Sequence, residues 1–161
     1  MPLFYGLVPG AIQTTNAAPL TANDCFWITA GVRNVWLKHI LPEGRGALLT
    51  SISGITYRVE KWTTTPSSGG TALTPTPEDT GYQVAKQSAA WAVGTVTSGT
   101  GGPLLMLSIG SGTTSPGNWI APTLDECPMI QGGSSASTSM DIFNASGAAS
   151  LNFELSLMTV E

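Results

Sequence analysis

Apolar and polar positions alternate with a period of two along much of this chain. The pattern is clearest near the end, where Leu151, Phe153, Leu155 and Leu157 interleave with Asn152, Glu154, Ser156 and Met158. Residues two apart share one face of a strand, so this run predicts a half-buried strand. Ile55, Tyr57 and Val59 alternate with Thr56, Arg58 and Glu60 in the same way. Further strands are expected over 25–30, 34–40, 48–53, 91–97, 103–109 and 128–131, with an edge segment at 119–122. In 34–40, Val35, Leu37 and His39 fall on one face and Trp36, Lys38 and Ile40 on the other. LPEGRG then reads as a turn. Ser137–Phe143 also alternates, with Met140 and Ile142 facing one way. The NASG turn that follows predicts a hairpin with the last strand. Only 81–93 carries a helical spacing, through Tyr82, Ala85, Ala89 and Val93, and it predicts at most a short helical turn.

Two stretches break the alternation. The first, 1–23, mixes Phe4, Tyr5, Leu7 and Val8 with Pro2, Pro9 and Pro19 and reads as an extended N-terminal arm. The second, 63–80, is built of Thr, Ser, Gly and Pro, with Ala72 and Leu73 as its only aliphatic residues. Pro66, Pro75 and Pro77 remove backbone donors and fix φ, so neither a helix nor a central strand can run through them. Such a ribbon is stable only when laid along a surface, and the expectation is that it clasps a neighbouring chain. Many short strands with Gly-rich turns predict an all-β fold: an antiparallel, jelly-roll-like β-sandwich over 24–161, with the arm and the long loop attached.

Composition narrows the function. The chain has 161 residues, enough for one core without metals or disulfides. Charged residues make up 10%, well under the usual ~25%. A surface so poor in charge hints at assembly. The net charge is -4, and the six Lys and Arg are scattered, which argues against nucleic acid. No apolar run approaches the roughly 20 residues of a membrane-spanning helix. The N-terminus has no basic region of the kind a signal peptide needs, so Cys25 and Cys127 are expected as reduced, buried thiols.

Candidate chemistry is sparse. The single histidine, His39, sits mid-strand. One His and two distant Cys do not make a zinc site. The acid pairs Glu78-Asp79 and Asp125-Glu126 read as turn residues, and GSGTTSPG and SGTGGP lack the lysine and helix of a phosphate loop. Asn144-Ala145-Ser146 fits a glycosylation sequon by chance, in a turn where Asn belongs. Of the five tryptophans, Trp62 and Trp119 flank Pro-rich loops and are the strongest candidates for positions outside the core.

From 55 to 161 the chain resembles a known family. A strand leads into PSSGGTALTPTPEDT; GGPLLMLSIG and CPMIQGG follow; an amphipathic last strand closes at Val160-Glu161. Together these resemble the jelly-roll decoration (cement) proteins of tailed phages, with GGTALTP as the most specific part. The resemblance implies a non-enzymatic virion protein on the outer capsid surface, commonly a trimer, with its own copies and the major capsid protein as partners. It implies no cofactor, metal, nucleic acid or membrane. Family members grip neighbours through an arm or long loop. The interface residues expected here are therefore Phe4, Tyr5, Trp62, Pro66, Leu73, Pro75, Pro77 and Trp119. Competing readings are a phage tail or fibre protein, a carbohydrate-binding sandwich with exposed coplanar tryptophans, and a hydrolase with two carboxylates across a cleft.

Overall fold

The computed structural model describes residues 2–9, 13–14, 26–44, 55–62, 70–81, 83–91, 101–109, 118–133, 139–144 and 152–161. Among them the chain forms β1 (Phe4–Leu7), β2 (Gln13–Thr14), β3 (Phe26–Thr29), β4 (Val35–Gly44), β5 (Ile55–Trp62), β6 (Thr71–Leu73) and β7 (Thr76–Pro77). Then come β8 (Ser88–Trp91), β9 (Gly101–Ile109), β10 (Trp119–Ile120), β11 (Met129–Ile130), β12 (Ser139–Asn144) and β13 (Asn152–Val160). One 3-10 turn spans Leu124–Glu126.

The strands make two antiparallel sheets. A seven-stranded sheet runs β10-β4-β13-β1-β7, with β11 also on β4 and β2 also on β13. A six-stranded sheet runs β6-β8-β3-β12-β5-β9. Their facing sides meet in one apolar core. Leu7, Val35, Leu37, Ile40, Ile130 and Leu157 come from the first sheet, and Phe26, Ile28, Val59, Ala89, Met140 and Ile142 from the second. Register explains this packing. Met140 stands opposite Ile28, and Ile142 opposite both Phe26 and Val59, so the inward positions of three strands form one apolar patch. The protein is therefore an all-β sandwich.

Several local expectations change in three dimensions. The expected hairpin of 137–143 with the last strand does not form. β12 belongs to the six-stranded sheet and β13 to the seven-stranded one. Two amphipathic strands can bury their apolar faces equally well across a core as side by side, and the alternation does not distinguish these cases. β4 runs through the expected LPEG turn to Gly44, paired with β13.

His39 does not share the inward face of Val35 and Leu37. The pairing shifts between Met158↔His39 and Thr159↔Leu37, which leaves Lys38 as an extra residue. The bulge reverses the alternation, so Leu37 and Ile40 are both fully buried while His39 is half-buried. Instead of a helical turn, 83–87 is irregular, and a strand follows at Ser88–Trp91; beyond Trp91, the strand expected over 91–97 lies outside the described residues. The expected strand at 48–53 lies outside the described residues.

The expected N-terminal arm is also part of the sandwich in its described residues. β1 lies inside the seven-stranded sheet, between β13 and β7. β2 pairs with β13.

Candidate functional site

Three regions carry the polar and exposed chemistry: the ribbon, one loop end of the sandwich, and the outer face of the six-stranded sheet.

The described half of the ribbon lies on its own subunit. Thr71–Leu73 pairs with β8 as the outermost strand of one sheet, and Thr76–Pro77 pairs with β1 as the outermost strand of the other. Two short edge strands either side of Thr74-Pro75 satisfy the prolines, because an edge needs donors on one side only. Leu73 packs against the subunit's own core, and 63–69 lies outside the described residues. Its outward positions Thr71, Ala72, Thr74 and Thr76 remain exposed. Beside it opens a pocket of about 330 Å³, with Trp27, Ala72, Leu73, Pro75, Gln87 and Ala90 among its lining residues.

The other expected interface residues scatter. Tyr5 is 0% exposed and its hydroxyl donates to the Gln83 carbonyl (2.7 Å), so it serves the subunit interior rather than a partner. Phe4, Pro75 and Pro77 are half-buried on the ribbon flank. Trp119 is at the opposite edge of the seven-stranded sheet, half-buried and packed against the core. The backbone of Trp62 pairs with Ser139 and Gly101, and Pro66 lies outside the described residues.

The loop end is organised around Glu161. Its side chain is 0% exposed, and Oε1 accepts the backbone N–H groups of Lys86 and Gln87 at 2.7 Å each. The Arg33 guanidinium stands 3.6 Å from Oε2 and also donates to the Gln83 side-chain oxygen. Buried Gln87 donates to the Thr159 hydroxyl at 2.7 Å. These bonds replace the helical ones expected for 83–87. Gly31 closes the loop: a Cβ there would overlap the Lys86 carbonyl. Val32 and Val84 project from this end at 75% and 80% exposure.

On the outer face of the six-stranded sheet, Asp141 stands opposite Glu60 on β5 and Trp27 on β3. Asp141 is 1% exposed and Glu60 8%. Arg58, two residues along the same face, forms an ion pair with Glu60. Among the described residues neither Asp141 oxygen has a hydrogen bond of good geometry, the Ser139 hydroxyl standing near without a well-formed one, and the Trp27 indole N–H also has no partner. Burial first, and the neighbouring Glu60 second, push Asp141 up to about 7, with the Ser139 hydroxyl pulling the other way. Sequence reasoning passed over this pair, because an acid on the polar face of an alternating strand normally points to water.

The remaining candidates resolve into structural roles. Glu126 accepts hydrogen bonds from the Thr123 backbone and hydroxyl, and Asp79 accepts the Gly81 N–H, so one acid of each adjacent pair ties a turn. Cys127 is a buried free thiol, and Cys25 lies outside the described residues. His39 is held below its ordinary range by burial and then by Lys38. Among the described residues no group of three or more His, Cys, Asp or Glu could hold a metal ion.

Compared with protein-family models, curated proteins and solved structures, the chain matches none.

Proposed function

We propose that the protein is a non-enzymatic structural subunit that works by association. It decorates and cements the outer surface of a tailed-phage capsid as a homo-oligomer, with the major capsid protein as its second partner. The observation that carries this reading is the strip Thr71–Pro77, whose strands β6 and β7 are, among the described residues, the outermost of the two sheets. Sheet edges on monomers are usually guarded by charge. None of these seven residues is charged, and four of them are exposed. A second copy laid against the strip would cover both edges together. The choice of a capsid rests on the resemblance of 55–161 to decoration proteins; a tail or fibre position is the alternative within the same class.

Sedimentation of the purified chain tests the reading. A stable trimer or other closed oligomer is expected at micromolar concentration, and Thr74→Lys with Thr76→Lys should convert it to folded monomers. A wild-type chain that stays monomeric overturns it. The pocket beside Trp27 favours a second reading, a carbohydrate-binding module. That reading predicts a monomer whose tryptophan fluorescence responds to added oligosaccharide.

A further inference from the structure

The acid pair on the six-stranded sheet has a consequence independent of assembly. β12 lies between β3 and β5, so Asp141 is at the centre of the sheet. Directly opposed residues on antiparallel strands hold their Cβ atoms roughly 4.5–5.5 Å apart. Asp141 and Glu60 are such a pair, and both are buried. Glu60 has Arg58 as a counter-ion. Among the described residues, Asp141 faces uncharged Trp27 from β3 and uncharged Ser139 from its own strand, and the charged groups facing it from β5 are Glu60 and the Arg58 already engaged by Glu60. Two buried like charges at this spacing cannot both persist without further donors. Arg58 favours the charge on Glu60, which leaves the proton on Asp141.

We propose that Asp141 is held as a neutral carboxylic acid beside the Arg58–Glu60 ion pair, and that loss of its proton weakens the β5–β12–β3 seam, making the sandwich firm in mild acid and looser above neutrality. The direction follows from linkage. An acid whose folded value is raised binds its proton more tightly folded than unfolded, so stability falls as pH rises from its ordinary 3.8 to about 7 and levels off beyond. His39 acts oppositely. Its folded value is lowered, so its contribution is present above 6.5 and is lost as pH falls.

Urea unfolding of the full chain between pH 5 and 8 tests the proposal. The ratio of folded to unfolded protein should drop by roughly a hundredfold, because about two of those pH units lie inside the Asp141 window. Asp141→Asn should remove most of the drop. A flat wild-type profile, or an undiminished drop in the variant, overturns the proposal. Should the variant not fold, the carboxyl carbon of Asp141 can be titrated by NMR in the native chain. A midpoint near neutrality supports the assignment, and one below pH 5 overturns it.

Discussion

Glu161 and Asp141 are both carboxyl groups almost wholly withdrawn from solvent, yet their surroundings differ. Glu161 receives two backbone N–H groups and lies beside a guanidinium. Asp141 meets no backbone N–H or guanidinium among the described residues, has only the Ser139 hydroxyl to favour its charge, and lies beside another acid. Burying a charge is tolerable when donors are fixed in place and expensive when they are not. The first arrangement ties irregular chain into one loop end of the sandwich. The second sets two buried acids side by side in the middle of a sheet, the arrangement from which the proposed protonation of Asp141 follows. Burial alone therefore says little about what an acid does; its donors decide.

Three substitutions probe that contrast. The largest effect is expected for Glu161→Ala, which strands the Lys86 and Gln87 N–H groups at a closed end. A loss of about 3 kcal/mol in chemical unfolding is expected. A loss under 1 kcal/mol would mean that the loop end does not depend on this carboxylate. Next comes Arg58→Ala. It leaves Glu60 without its cation beside Asp141, and a loss of about 2 kcal/mol is expected at pH 8. Measured at pH 5, the same variant should lose less, because the remaining pair can take up a proton. The smallest effect belongs to Arg33→Ala. The Arg33 side chain is 33% exposed, so its ion pair with Glu161 is screened and roughly 0.5 kcal/mol is expected. Hydrogen exchange at Lys86 and Gln87 should barely change in that variant and should rise sharply in Glu161→Ala.

The sandwich itself was legible in the chain. Period-two runs at Ile55–Trp62, Ser139–Asn144 and Asn152–Val160 became strands, and Met140 and Ile142 face inward as their spacing required. Helical spacing in 81–93 misled, because its backbone donors at Lys86 and Gln87 found Glu161, a partner distant in sequence. The candidate interface was legible only in part. Pro75 and Pro77 do mark an edge, but Tyr5 is interior and Trp119 lies on the far side of its sheet.

By itself, the sequence determined that this chain is built of short amphipathic strands and that a proline-rich strip cannot enter the middle of a sheet. These are local matters of periodicity and φ restriction. Only the tertiary structure decided that the final two strands separate into opposite sheets, that the described half of the ribbon edges both sheets of its own subunit, that a bulge turns His39 out of the core, and that two acids distant in sequence share one buried face. Each depends on which strands become neighbours, and strand neighbours are selected by the packing of the whole core rather than by any single segment.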